Sequence, residues 1–188
     1  MLLAAATGAT LLSVTACGDE APAPSGDKPP AATTGGGDSG AKKPPLTVTF
    51  DVTGAATLKG VVDTEFPNLG GATFPKTCAE YVKGKDDRFV LPKIFLVKLD
   101  QGVTPTVNVT LTGYTGPATY DAAAIERKTS SGVEINTLLA APGGVFRLNG
   151  ASTSSVKVDT AGGSWTFTGL ADSKGGKLAG SVVWKCNR

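Results

Sequence analysis

From residue 46 the chain alternates apolar and polar positions. Leu46-Thr47-Val48-Thr49-Phe50-Asp51-Val52-Thr53 keeps period two without a break, which predicts a strand with one buried face. Residues 57–62 follow Gly54 and predict its hairpin partner. Ile94-Phe95-Leu96-Val97, after Pro92, is a continuous apolar run and predicts a central strand buried on both faces. Val107, Val109 and Leu111 alternate with Asn108, Thr110 and Thr112, and Val145-Phe146-Arg147-Leu148 is a shorter strand candidate. The C-terminal third has the clearest pattern. Val156 and Val158 lead into Ala161-Gly162-Gly163, a turn signal, and Trp165 and Phe167 then alternate with Thr166 and Thr168. Lys174-Gly175-Gly176 marks the next turn, after which Leu178, Gly180, Val182, Trp184 and Cys186 share one face. These three strands predict a meander.

Helical periodicity is scarce. Asp121-Ala122-Ala123-Ala124-Ile125-Glu126-Arg127 predicts two turns capped by Asp121, and residues 77–83 predict one short helix. Short, spaced strands rich in Gly and Thr predict an all-β domain. The reading favours an antiparallel β-sandwich, with a small β-barrel as the alternative and one or two short helices added. Residues 46–188 supply 143 positions for it, enough for one self-sufficient core.

The first 45 residues read differently. Residues 1–16, MLLAAATGATLLSVTA, carry no charge and have the length and apolarity of a signal-peptide core, too short to span a bilayer. They end in Val14-Thr15-Ala16-Cys17, a branched apolar residue and two small ones before a cysteine. This resembles the lipobox of bacterial lipoproteins, although no Lys or Arg precedes the apolar core. The resemblance implies cleavage before Cys17, a diacylglyceryl thioether on its sulfur, and acylation of the new amino terminus. Residues 18–45 then hold six prolines and six glycines but no Val, Ile, Leu or aromatic residue. Such a segment cannot bury enough apolar surface to offset its ordering entropy and reads as a disordered tether. Its reach is roughly 30 Å as a coil and about 87 Å as extended polyproline. The expected organisation is a signal peptide over 1–16, lipidated Cys17 and tether over 17–45, and one β domain over 46–188.

With Cys17 assigned to the anchor, two cysteines remain. An even count in an exported domain reads as a disulfide, Cys78 to Cys186, pinning the connection over residues 63–87 to the sheet. A metal or redox pair is the alternative, weakened by the absence of His and of a Cys-x-x-Cys spacing. The whole plan resembles small lipoproteins of high-GC Gram-positive bacteria, including the mycobacterial lipoprotein-antigen type. That likeness rests on the lipobox, the tether and the ending Gly180-Ser181-Val182-Val183-Trp184-Lys185-Cys186, which follows Gly-x-Val-x-Trp-x-Cys. It carries over no catalytic residues.

Charge narrows the function classes. The domain over 46–188 has 15 basic and 12 acidic residues, scattered along it, too little positive field to predict nucleic-acid binding. The chain has no His, which removes the commonest general base and metal ligand. Gly37-Asp38-Ser39-Gly40 matches the run around a trypsin-type nucleophile but lies in the tether without a His to serve it. The Gly-x-Gly-x-x-Gly of residues 35–40 lacks a preceding strand and a following helix. Ser154-Ser155-Val156-Lys157 contains Ser-x-x-Lys, yet on a strand those two side chains face opposite ways. Asn108-Val109-Thr110 is a glycosylation acceptor only in a suitable host. Glu126 and Glu134 flank Ser130-Ser131-Gly132 and form the one carboxylate pair that suits sugar hydrolysis; surface charges are the plainer reading. Asp86-Asp87, between Lys85 and Arg88, reads as a solvated loop with local charge pairing.

Of the aromatics, Trp165 and Trp184 fall with the apolar residues of adjacent strands and predict cross-strand core packing. Tyr81, Tyr114 and Tyr120 are the candidate ligand-facing aromatics, with Tyr114 expected at an exposed loop beside Gly113 and Gly116. The expected function is a non-enzymatic binding or display domain, lipid-anchored on the outer face of the cell membrane. No metal or cofactor is expected, and the partners are the membrane and a wall glycan, a lipid or an envelope protein. The alternatives are a lipid or glycolipid carrier, with a pocket among Phe66, Phe74, Phe89 and Phe95, and a His-free carboxylate enzyme acting on wall polysaccharide.

Overall fold

The computed structural model describes residues 43–72, 74–95, 97–127, 129–130, 133–134 and 138–187. Cys17, the expected signal peptide and most of the tether lie outside them, as does Leu96. The elements in order are β1 (Leu46–Gly54), β2 (Leu58–Thr64), α1 (Cys78–Lys83), β3 (Arg88–Val90), β4 (Thr106–Val107), β5 (Thr110–Thr112) and β6 (Thr119–Asp121). A single 3-10 turn at Ala122–Ala124 follows, then β7 (Thr129–Ser130), β8 (Val133–Glu134), β9 (Leu139–Ala141), β10 (Gly144–Phe146), β11 (Thr153–Asp159), β12 (Gly162–Ala171) and β13 (Lys177–Cys186).

A six-stranded antiparallel sheet in the order β2-β1-β13-β12-β11-β6 forms one layer. Its inner face carries the alternating apolar residues, among them Leu46, Val48, Phe50, Val52, Val156, Val158, Trp165, Phe167, Val182 and Trp184, all buried. Its outer face carries Thr, Ser and charged residues, with exposed ion pairs Lys59–Asp51 and Lys157–Asp159. Small sheets complete the core: β3-β5 and β10-β9-β4. Phe89 of β3 stacks over Trp184 of β13 with ring centroids 6.3 Å apart, and Val107, Leu139 and Phe146 are buried in the same core. The fold is all-β, antiparallel and layered, with no closed barrel among the described residues.

The predicted first hairpin and the C-terminal meander are present. In the meander, however, Gly162 and Gly163 open β12 and pair with Asp159 and Val158, so the reversal falls on Thr160 and Ala161. Gly163 is there for space: a Cβ on it would lie 2.4 Å from Cζ2 of Trp184 and 2.3 Å from the Lys157 carbonyl oxygen. Trp165 and Trp184 are both in the core but not opposite one another, since Trp165 faces Val182 and Gly163 faces Trp184. Trp165 Nε1 donates to Ser154 Oγ at 2.8 Å, while Lys157 turns outward to Asp159. That separation removes the Ser-x-x-Lys chemistry.

Three predicted elements differ. Ile94-Phe95-Leu96-Val97 is not a central strand: Ile94 makes one bridge to Val107, and Phe95 is 67% exposed. Ile94 is buried, Phe95 is exposed and Val97 is partly buried, so the described part of the run is not covered on both sides. Val107, Val109 and Leu111 are all buried, but the run divides. Val107 pairs with Leu139 and Leu111 with Phe89, in different sheets. The Asp121 segment forms only the 3-10 turn. Asp121 caps it by accepting from Ala123 N at 2.9 Å, and the chain then extends because Ile125 pairs with Leu111. Residues 77–83 do form a helix, with Thr77 Oγ1 accepting from Glu80 N.

Candidate functional site

The three candidate ligand-facing tyrosines are structural. Tyr81 is 0% exposed and Tyr114 is 5% exposed, against the expected open loop. Both rings join a chain of aromatic contacts from Phe66 through Tyr81, Phe89 and Tyr114 to Tyr120. Each hydroxyl is spent on the backbone. Tyr81 donates to the Val90 carbonyl at 2.9 Å, Tyr114 to that of Val82, and the half-buried Tyr120 to that of Gly116. A buried phenol needs a partner, and carbonyls of β3, of the last turn of α1 and of the 113–118 loop supply one. Burial, then the neighbouring Tyr114, pushes the Tyr81 phenol well above its ordinary pKa. Burial, then Tyr120, pushes Tyr114 up to about 12.

Cys78 and Cys186 meet as a disulfide-capable pair, with Cα atoms 5.9 Å apart. Cys78 is the first residue of α1 and Cys186 the last of β13, so the pair links the helix to the sheet. Among the described residues no group of three or more His, Cys, Asp or Glu could hold a metal ion. None of the helices described is long and apolar enough to cross a membrane.

The candidate site is a polar pocket of about 290 Å³ on the outer face of the β3-β5 sheet. Alternation builds it. Phe89 and Leu111 point into the core, so Arg88, Val90 and Thr110 face the other way. The chain reverses into β3 through a two-residue turn, with Lys85 and Arg88 exchanging backbone hydrogen bonds of 2.9 Å in each direction. Asp86 and Asp87 fill its centre with φ of 50° and 53°, a left-handed conformation that Asp tolerates better than most residues. Arg88 does not pair with these aspartates as expected. Its Nη2 donates to Glu126 Oε2 at 2.6 Å. Glu126 is held beside it by a backbone bond from its N–H to the Thr110 carbonyl at 2.8 Å.

Two loops complete the walls. Asn68 Oδ1 accepts from Gly70 N at 2.7 Å, and Lys85 Nζ donates to the Gly70 carbonyl at 3.1 Å, fixing the 68–70 turn at the rim. Lys93 and Asn108 line the other side. Arg88 Nε is buried and donates to no protein atom among the described residues. Among the described residues the pocket is therefore lined by two cations, one carboxylate, two amides and a hydroxyl. Comparison with protein-family models, curated proteins and solved structures gives no match.

Sequence reasoning met most of these residues separately and joined none of them. Glu126 was paired in expectation with Glu134, which lies in β8 with its side chain outside the described residues. The sequence pattern around Asn108 suits a glycosylation acceptor, and that around Arg88 suits pairing with its chain neighbours. The available signal was the phase of Arg88 and Thr110 relative to Phe89 and Leu111. The pairing of β3 with β5 that brings them together is not local. Of the four phenylalanines expected around a carrier pocket, Phe66 and Phe89 are buried in the core, while Phe74 and Phe95 are 60% and 67% exposed.

Proposed function

We propose that the protein is a lipid-anchored extracytoplasmic binding module, tethered through Cys17 to the outer face of a bacterial cell membrane and acting without catalysis. The observation that carries the reading is the Val14-Thr15-Ala16-Cys17 box followed directly by residues 18–45, which lack any Val, Ile, Leu or aromatic residue. A diacylated amino terminus gains about 0.8 kcal/mol per buried CH₂, and two chains suffice for stable anchoring. The tether then holds the β domain tens of ångströms from the lipid surface.

Binding rather than turnover is favoured by two features. The sequence has no His, and Glu126, the one described carboxylate of the candidate catalytic pair, is already paired with Arg88. The pocket on the β3-β5 sheet supplies a recognition surface. The disulfide-capable pair suits an oxidising compartment.

Intact-mass measurement on the protein extracted from its own membrane tests the anchor. The expected species begins at Cys17, carries diacylglyceryl and acyl mass, and is two hydrogens lighter than the dithiol. A chain with an unmodified Cys17 overturns the reading.

A further inference from the structure

We infer that the pocket on the β3-β5 sheet binds a small hydroxylated carboxylate of sugar-acid size, held by Arg88, Lys93, Asn108 and Thr110. The inference deepens the binding-module reading and rests on it.

Arg88 carries the argument. Glu126 occupies its Nη2, while its Nε–H is shielded from solvent and meets no acceptor among the described residues. A ligand oxygen reaches that shielded donor only as the guanidinium turns, whereas the rest of the Arg88 side chain, 40% exposed, already lines the pocket and offers a charged donor. Lys93 also lines the pocket and is exposed, so its flexible side chain can approach a second oxygen of the same ligand.

Charge selects the ligand class. Among the described residues Arg88 and Lys93 outnumber Glu126 by one, and Lys85 Nζ stands at the rim on the Gly70 carbonyl, so the pocket favours an anionic ligand such as a carboxylate. Phosphate carries between one and two charges near neutral pH, and the part beyond one stands against the Glu126 carboxylate. The amides of Asn68 and Asn108 and the Thr110 hydroxyl supply both donors and acceptors, which hydroxyl groups satisfy and a plain carboxylate does not. Among the described residues no aromatic ring lines the pocket, so a neutral sugar finds no stacking surface there. The volume, about 290 Å³, is at the low end for small-molecule sites and suits one ring.

The test is a ¹H–¹⁵N titration of the full chain in mild detergent with D-glucuronate, and with D-glucose and inorganic phosphate as contrasts. Glucuronate is expected to give saturable shifts at the Arg88 Nε–H and at the Gly70, Lys93 and Asn108 amides. Glucose and phosphate should bind at least about tenfold more weakly, the worth of one charge-assisted contact. Arg88→Lys should weaken glucuronate about tenfold. Lys93→Ala, at an exposed position that leaves the fold intact, should weaken it by about threefold. Absence of saturable shifts at the Arg88 Nε–H up to about 50 mM glucuronate overturns the inference. Equal response to glucose, or tighter binding of phosphate, also overturns it. The mass of the Cys17 species judges the anchor independently, so either reading can fail alone.

Discussion

In the six-stranded sheet, partners are mostly neighbours in sequence: β1 pairs with β2, β11 with β12, and β12 with β13. Those five strands run for seven to ten residues with an apolar inner face. Residues 66–127, which give that sheet only the three-residue edge strand β6, have among the described residues strands of two or three residues and a six-residue helix. There order depends on individual ties: tyrosine hydroxyls to backbone carbonyls, the Thr77 cap, the Arg88–Glu126 pair and the Cys78–Cys186 pair. A long alternating strand is stabilised by many small contacts, so no one of them decides its place. The short elements each rest on one or two ties. The same irregularity lets backbone turns and polar side chains surround a pocket, which a flat sheet face does not do.

The comparison can be broken most forcefully at the tie between the two regions. Cys186→Ser removes a cross-link spanning 108 residues of sequence, with an expected loss of about 4 kcal/mol on the chain-entropy scale. Denaturant melts with and without reductant check it, the oxidised wild-type chain losing that amount on reduction and the variant losing nothing. Hydrogen exchange should rise first in α1 and residues 66–76, and only later in β1 and β13. Equal loss of protection in both regions would show that they do not differ as argued.

Next in size is a change inside the regular sheet. Gly163→Ala places a methyl within 2.4 Å of the Trp184 ring and 2.3 Å of a backbone oxygen. Neither neighbour is the loose end of a flexible side chain, so the strand or the indole must move. The expected loss is about 3 kcal/mol, spread over β11, β12 and β13, with Trp fluorescence changed at the same time. A loss below about 0.5 kcal/mol, the range of a neutral surface change, would mean the sheet tolerates displacement there.

The same contrast explains what the sequence disclosed. Residues 46–53 and 153–186 could be read directly because period two, turn residues and burial agree over seven or more positions. Residues 94–97 misled for a related reason: four apolar residues in a row fit a doubly buried strand, but only a sheet on both sides would create one. Tyr114 misled because its neighbouring glycines mark a loop, while its burial is set by Phe89 and Val82, distant in sequence. The pocket was the least legible part. Arg88, Asn108 and Glu126 are visible as polar letters, but their meeting requires β3 to pair with β5, and three-residue strands carry almost no pairing signal. The disulfide pairing needed no register at all, since only two cysteines remain once Cys17 is set apart.

Alkaline pH separates the regions without mutation, because all three tyrosines lie outside the long strands. Tyr114 is raised to about 12, and burial raises Tyr81 well above its ordinary value. Below pH 10 both folded and unfolded chains hold these protons, and stability is unaffected. Above the unfolded value near 10 the unfolded chain releases them while the fold retains them, so stability falls as pH rises. For Tyr114 the loss is on the order of 2 kcal/mol by pH 12. Tyr114→Phe should lower stability at pH 7 yet flatten this decline, and an unchanged slope in denaturant melts from pH 9 to 12 would sink the assignment.

The smallest expected effect tests whether a single tie holds its own element. Thr77 Oγ1 accepts from Glu80 N at 3.2 Å, and the Glu80 carboxylate accepts in turn from Lys76 N at 2.7 Å. Two backbone donors at the start of a helix of six residues are thereby satisfied. Thr77→Ala should cost about 1 kcal/mol, whereas Thr166→Ala, on the exposed face of β12, should stay within about 0.5 kcal/mol. The two positions carry the same residue and both are exposed, so local context alone accounts for the gap. Exchange of the α1 amides should quicken in the Thr77 variant while those of β12 stay unchanged. If the cross-link at Cys78 already holds the helix start, the Thr77 cost will emerge in full only after reduction, which would place more of the order of residues 66–127 in that one tie.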